Sequence, residues 1–348
     1  MTTSPSPQII AGRYQVRASL GGGAFGEVYE VYDLHLQQVS ALKLLKKTPL
    51  GVWAEAQVLR QVHGEFILPI LNADLAAGTP YVVTEVATHG TLADRVVPHV
   101  GVPVSGAVRW TRQACQGLAR IHDHNLLHGD IKPENLFLNE HNDVLVGDLG
   151  LAQLMDAAGA TEACGSVPTM APEVARVGVP GLPVSTTRVY TARSDVYSLG
   201  ATLYWLLSGS PPVPNATTYA DAWHGATPDL WDIAPHVSQG VRDIVMKAIS
   251  RDPSDRYGSP AELDAALGGR RLPAREWERT PPHGGHDQCY AGTKAGSRVD
   301  VCAAPTGKST QIEITARYES GRSIHRATRT TPRSRLAVAL RATFRMIG

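Results

Sequence analysis

The chain lacks the marks of several protein classes. Cysteine occurs four times in 348 residues, at Cys115, Cys164, Cys289 and Cys302, too few for a disulfide framework. No stretch reaches the roughly 20 apolar residues that cross a bilayer. The longest candidate, residues 196–207, is interrupted by Tyr197, Ser198 and Thr202. The opening MTTSPSPQII has no basic segment leading into an apolar run, so no secretory signal is expected there. Net charge is only +1, which argues against a whole-chain attraction to nucleic acid or membrane. A cytoplasmic, reducing location is the resulting expectation. What remains is ordinary for a globular chain, 43% hydrophobic and 19% charged, with length for about two domains.

The most informative stretch is residues 128–150, HGDIKPENLFLNEHNDVLVGDLG. Two short apolar runs, Leu136–Leu138 and Val144–Val146, flank a polar break and predict a β-hairpin. A hairpin brings its ends side by side, so Asp130, Lys132, Asn135 and Asp148 converge on one small volume. Two carboxylates and an amide suit a hard divalent cation, which takes oxygen ligands and often shares them with substrate phosphates. The stretch resembles the catalytic loop and metal-binding segment of protein kinases. His128-Gly129-Asp130 followed by Asn135 stands for H-R-D-x-x-x-x-N, and Asp148-Leu149-Gly150 for D-F-G. Lys132 gives the form typical of Ser/Thr kinases. The resemblance implies that Asp130 accepts the proton of a substrate hydroxyl, that Lys132 steadies the γ-phosphate of ATP, and that Asn135 and Asp148 hold Mg²⁺.

Upstream motifs fall in the same order. Gly21, Gly23, Gly26 and Val28 give G-x-G-x-x-G-x-V, a spacing that dinucleotide-binding turns share. The following residues 27–32 alternate polar and apolar, which predicts a strand where a dinucleotide site needs a helix. Side chains would hold a ligand away from such a loop, so glycine suits it. Residues 38–45 form the next strand, with Ala41-Leu42-Lys43 resembling V-A-I-K. A lysine in an apolar strand needs a partner; the family supplies phosphates and a glutamate on the next helix. Residues 53–62 read as that helix, with Glu55 as the glutamate and Glu65 as the less suitable alternative. Residues 81–87 resemble the hinge between lobes, where Glu85 and Ala87 offer backbone groups to adenine and Thr84 gates the inner pocket. Val28, Ala41 and Leu138 complete the nucleotide-binding set that the resemblance implies.

Downstream, residues 108–122 carry apolar residues at helical spacing, with Cys115 read as packing. Residues 151–170 lead to Ala171-Pro172-Glu173, the family's A-P-E. Thr161, Ser166 and Thr169 are candidate phosphosites, and Ser166 stands where a hydroxyl contacts Asp130 and Lys132. Cys164 reads as an inert thiol. Ser194 or Asp195 is expected to cap a long buried helix; the resemblance implies that Asp195 also braces the backbone of the catalytic loop and that Arg256 pairs with Glu173. One departure matters: Gly129 replaces the Arg that, in many relatives, clamps a phosphorylated activation loop. Activity is therefore expected not to depend strongly on loop phosphorylation.

From Gly269 onward there are 15 Lys+Arg and 6 Asp+Glu, net +9, against 18 and 26, net −8, in the residues before. Residues 269–295 read as linker. Strands are expected at 298–302, 312–318 and 324–328, then a helix with Leu336, Leu340, Phe344 and Ile347 on one face. The Arg excess suggests an acidic partner, which could be nucleic acid, an acidic protein or the kinase domain itself, or else a solvated face. His283, His286, Cys289 and Cys302 are zinc-ligating types, but their spacing matches no standard pattern.

The expected architecture is therefore α+β: a bilobal protein kinase fold over residues 8–268, with a small β-rich lobe (8–86) and a large helical lobe (87–268). The linker 269–295 and a small basic β-β-β-α module (296–348) follow. The implied function is ATP- and Mg²⁺-dependent phosphorylation of protein hydroxyls, in a signalling role and with autophosphorylation. The alternatives are a pseudokinase scaffold or a nucleic-acid-linked regulator. Nothing in the residues names the substrate or the oligomeric state.

Overall fold

Alternation along the first strands sends Tyr14, Val31, Leu42, Tyr81 and Val83 to one buried face. The computed structural model, which describes residues 8–23, 26–45, 61–149, 152–183, 186–270 and 273–348, shows the sheet that this pattern builds. Its strands are β1 (Ile9–Ile10), β2 (Tyr14–Gly23), β3 (Gly26–Asp33), β4 (Gln38–Leu45), β5 (Ile70–Ala76) and β6 (Thr79–Thr84), antiparallel in the order β1-β2-β3-β4-β6-β5. Tyr14 and Tyr81 meet edge to face at 5.6 Å, and Asn72 Nδ2 donates to the Tyr14 hydroxyl at 2.9 Å. Register shifts in β2, between Val16 and Ala18 and between Ser19 and Gly21, bend its glycine-rich end. Residues 53–60 of the expected helix, Glu55 among them, lie outside the described residues.

The larger lobe carries α1 (Val104–Asp123), α2 (Pro172–Val177), α3 (Ala192–Ser208), α4 (Tyr219–His224), α5 (Leu230–Ile233), α6 (Gln239–Ala248) and α7 (Pro260–Gly268). Helix α1 starts at Val104, a turn earlier than its apolar spacing predicts, and buries Ala107, Ala114, Cys115, Leu118 and Ile121. Helix α3 is buried along most of its length, as a helix apolar on all sides must be. Gly200 allows α3 to approach α6, since a Cβ there would stand 2.6 Å from Ala248 Cβ. At the start of α3 the choice falls on Ser194: its Oγ accepts from the Thr191 N–H at 3.1 Å, so Ser194 forms the cap together with Thr191, which the sequence reading did not name. Asp195 is thereby free for another task. Short ladders join β7 (Leu126–Leu127) to β10 (Gln153–Leu154), β8 (Leu136–Leu138) to β9 (Val144–Val146), and β11 (Ala160–Thr161) to β12 (Tyr190–Thr191). The β8–β9 pair is the hairpin read from sequence.

The C-terminal region corrects the sequence reading. It is a five-stranded antiparallel meander, β13 (Glu276–Thr280), β14 (Gln288–Lys294), β15 (Ser297–Pro305), β16 (Gln311–Tyr318) and β17 (Arg329–Pro332), with α8 (Leu336–Ile347) on one face. Two of the five strands lie in residues 269–295, read as linker. The signal was weak there because Trp277 is the one large apolar side chain in β13. It packs over Gly292 of β14, where a Cβ would stand 2.6 Å from the ring. The strand expected at 324–328 is instead a helical turn, His325–Ala327. Ile324 and Ala327 are both buried and three apart, which is turn spacing. The core combines Tyr290, Val301, Ile312 and Ile314 with Leu340 and Phe344.

This module sits against the larger lobe. Glu276 Oε1 accepts from Ser105 N at 3.0 Å, placing a carboxylate at the positive end of α1. Arg279 donates to Ile233 O at 3.4 Å, and Arg341 lies 4.6 Å over the Trp231 ring. Part of the arginine excess is thus used internally. Arg275 is buried and donates to the Gly292 and Ser297 carbonyls, and Arg333 pairs with Asp287. Among the described residues no helix is long and apolar enough to cross a membrane.

Candidate active site

A cavity of about 580 Å³ opens between the two lobes, a size suited to a small-molecule ligand. The glycine-rich end of β2 and β3 covers it, β4 and β6 form its wall, and the β8–β9 hairpin its floor. Gly21, Gly26, Val28, Ala41, Lys43, Thr84, Glu85, Ala87, Asn135 and Asp148 all line it. The glycines do different work. Gly21 has φ 134° with open space beside it, a conformation that L side chains rarely adopt. Gly26 has φ 151°, and a Cβ there would stand 2.1 Å from Leu44 O, so it is required by the crowding of β3 on β4. Gly23 pairs with Gly26 where the two strands meet.

The catalytic-loop residues converge as the hairpin predicts. Lys132 Nζ donates to Asp130 Oδ2 at 2.8 Å and to Ser166 Oγ at 2.7 Å. Asn135 Nδ2 donates to Asp130 O at 2.8 Å and to Asp130 Oδ2 at 3.1 Å. The other carboxylate oxygen, Asp130 Oδ1, is buried and has no partner among the described residues. Across the cleft Lys43 Nζ meets Asp148 Oδ1 at 2.5 Å. The glutamate expected to share Lys43, Glu55, lies outside the described residues; Glu65 is exposed. Asp148 itself has φ 54°, in the left-handed region.

A buried carboxylate holds this loop in place. Asp195 Oδ2 accepts from His122 Nε2 at 2.8 Å and from His128 N at 3.0 Å; Oδ1 accepts from Tyr190 Oη at 2.7 Å and from Gly129 N at 3.2 Å. Burial pushes its pKa up, but the donors, His122 foremost, outweigh this and hold it below the ordinary carboxylate value. His128 is buried and bridges the loop to the hairpin: its Nε2 is 2.9 Å from Gly147 O, and its Nδ1 accepts from Asp130 N at 3.2 Å. Arg256 grips Glu173 through two bonds of 2.9 and 2.8 Å and also donates to Ser250 O, Arg193 O and Arg251 O. Cys164 is half-buried, and burial raises its thiol to about 12, in keeping with an inert group.

One predicted binding residue is corrected. Leu138 is fully buried in the core, and Phe137 lines the cavity instead. The strand is three residues long and apolar throughout, so its sequence carries no alternation to say which side chain faces the cleft. Leu20, Leu68 and Ile70 also line the cavity and went unassigned, because single apolar residues at strand ends carry no chemical signature. Leu20 is half-exposed at the rim.

Comparison with known proteins agrees with this geometry. Residues 14–266 match the protein kinase domain family. Serine/threonine-protein kinase PknB of Mycolicibacterium smegmatis is 31% identical over 292 residues, covering 77% of this chain and 44% of its own length. Serine/threonine-protein kinase PrkC of Bacillus subtilis is 28% identical over 271 residues, with coverage of 74% and 40%. A probable serine/threonine-protein kinase of Corynebacterium efficiens is 30% identical over 283 residues, with coverage of 74% and 41%. The chain thus spans less than half the length of each of these relatives. The match runs through both lobes and takes in every residue of the cleft described above, and on that basis the chain belongs to the protein kinase family, in its bacterial serine/threonine branch.

Proposed function

We propose that the cleft binds ATP with Mg²⁺ and transfers the γ-phosphoryl group to serine or threonine hydroxyls of a protein. The observation that carries this reading is the state of Asp130. Lys132 and Asn135 both donate to Oδ2, leaving buried Oδ1 to accept a hydroxyl proton. A second cavity, of about 310 Å³, borders the same group and is lined by Lys132, Asn135, Ser166, Thr169 and Trp205. It gives the substrate hydroxyl its approach.

The donor set fits Mg²⁺. Asn135 commits its amide nitrogen to Asp130, so its carbonyl oxygen is available, and Asp148 adds a carboxylate; both are hard oxygen donors. Bound there, Mg²⁺ would offset charge on the phosphate oxygens. Lys43, now matched with Asp148, would move to the phosphates. Glu85 N–H already donates to Pro69 O at 3.2 Å, so the group that Glu85 offers adenine is its carbonyl, and Ala87 offers its N–H. Catalysis on this reading is positioning plus charge stabilisation. Free cysteines at all four positions suit a cytoplasmic site of action.

The activation segment supports phosphorylation-independent activity. Gly129 has φ 83°, a conformation costly for arginine. The segment is held by other means: Thr161 pairs with Tyr190 in the β11–β12 ladder, and Arg188 joins Asp156 at 2.8 Å, Glu162 at 3.5 Å and Ala160 O at 3.0 Å. Two carboxylates thereby occupy an arginine of the kind a phosphate would take. Thr161 and Thr169 are buried, which disfavours them as phosphosites. The test is calorimetric titration with ATP, with and without Mg²⁺, followed by phosphoryl transfer from protein treated with phosphatase. Mg²⁺-dependent binding with undiminished transfer supports the reading; binding indifferent to Mg²⁺, or transfer lost after phosphatase, overturns the corresponding part.

A further inference from the structure

The C-terminal module holds a cluster that phosphoryl transfer does not use. Cys289 of β14 and Cys302 of β15 stand directly opposite each other in the antiparallel ladder. Side chains alternate along strands, and Tyr290, Val301 and Ala303 face α8 in the core. The two cysteines therefore lie on the opposite face. They are buried nonetheless, with 1% and 7% of their surfaces exposed.

The turn between β13 and β14 brings two imidazoles to this face. Gly284 and Gly285 take φ 58° and 77°, two successive left-handed residues that reverse the chain in small space. His286 N donates to His283 O at 3.0 Å and closes the turn, while Asp287 N donates to Ala303 O at 2.8 Å and ties it to β15. The two rings end 4.9 Å apart. His286 Nδ1 is 3.4 Å from Cys289 Sγ, and His283 Nε2 is 3.9 Å from Cys302 Sγ.

We propose that His283, His286, Cys289 and Cys302 form a structural zinc site. One ligand atom from each lies within 4.8 Å of all the others. A tetrahedron built with Zn–S of about 2.3 Å and Zn–N of about 2.0 Å has edges of roughly 3.3–3.8 Å. The four groups therefore stand within about an ångström of coordination geometry. Two thiolates with two imidazoles select zinc over the hard cations that the kinase cleft suits. Four protein ligands leave no open position, which marks a structural site and not a catalytic one. On binding, each cysteine gives up its thiol proton to solvent and no redox change occurs. Linear spacing hides the site, because β14 and β15 bring Cys302 back beside Cys289 across a hairpin of ordinary length.

Zinc here would pin the turn to β15 and so fix the β13–β14 hairpin. Strand β13 carries Glu276 and Arg279, which touch the ends of α1 and α5 in the kinase lobe. The metal would thus brace the strand by which the module docks.

The test uses the full chain, without a polyhistidine tag, expressed in zinc-supplemented medium and purified without chelator. Elemental analysis is expected to find about one zinc per chain. Cys289→Ser and Cys302→Ser should each lose it, while Cys115→Ser and Cys164→Ser should keep it. Because the first two variants could misfold, the wild type is also titrated with Co²⁺ after mild zinc removal. Thiolate-to-cobalt charge-transfer bands and tetrahedral visible bands, saturating at about one equivalent, are expected. Absence of zinc from the wild type, zinc retained in a Cys289→Ser/Cys302→Ser double variant, a flat cobalt spectrum, or a Cys289–Cys302 disulfide in the purified protein would each overturn the proposal.

Discussion

Replacing Asp195 with Asn tests how the catalytic loop is held. The carboxylate takes four donors, from His122, His128, Gly129 and Tyr190, at 2.7–3.2 Å. Asn keeps one accepting oxygen and turns a donating NH₂ toward two of those four groups. Two hydrogen bonds to an ionised group are lost, each worth about 1.5–3 kcal/mol, at a fully buried side chain. The expected destabilisation is about 3–6 kcal/mol, read as a lower urea midpoint with unchanged m. Two of the donors are the backbone N–H groups just before Asp130. A shift of about 1 Å there costs roughly 10²-fold in rate. The expected outcome is a kcat lower by about that factor with little change in KM for ATP, since the hinge and glycine-rich strands are untouched. Tyr190→Phe, which removes one donor and leaves the charge, should cost about 1.5–3 kcal/mol. A variant within about 1 kcal/mol of wild type and within threefold in kcat would refute the bracing role.

Three further outcomes follow from the same contacts. Phe137→Ala should weaken ATP binding about tenfold with little loss of stability, whereas Leu138→Ala should cost about 2–5 kcal/mol in stability and leave ATP affinity in the surviving folded protein unchanged; calorimetry and urea unfolding separate the two. Arg256→Ala strands Glu173 and should cost about 3–5 kcal/mol, measured by chemical unfolding. His236 lies buried against Tyr290, neither ring nitrogen having a partner among the described residues, and burial, aided by Arg279, lowers its pKa to about 3. A depressed folded value means that its contribution is whole above the unfolded value of about 6.5 and is lost as pH falls toward 3, by about 1.4 kcal/mol per unit. Thermal unfolding from pH 7 to 4 should show this loss, and His236→Phe should reduce it.

The kinase lobes were legible because their chemistry is carried by short motifs whose order is itself informative. Asp130 and Asn135 precede the hairpin and Asp148 follows it, and the hairpin could be read from Leu136–Leu138 and Val144–Val146. Phe137 could not be told from Leu138, because a three-residue apolar strand has no period. The kinase resemblance already implies that Asp195 braces the catalytic-loop backbone, and its bonds from His128 N and Gly129 N bear this out; its other partners, His122 and Tyr190, are remote in sequence and carry no signal. The C-terminal module was half-legible. Ile312, Ile314 and Ala316 alternate and announced β16, while β13 offers only Trp277 and β14 only Tyr290 as large buried side chains, with Trp277 packed over Gly292. The His/Cys cluster shows the same limit, since register and not spacing brings Cys302 to Cys289.

The most direct test of the account is transfer of labelled γ-phosphate from ATP with Mg²⁺ to a general protein substrate, comparing wild type with Asp130→Asn. Oδ1 of Asp130 is the buried acceptor left free by Lys132 and Asn135. The account predicts transfer by the wild type and a loss of at least about 10²-fold in the variant, with ATP affinity retained. Equal transfer by both proteins, or ATP binding without transfer by the wild type on any added protein, would contradict it.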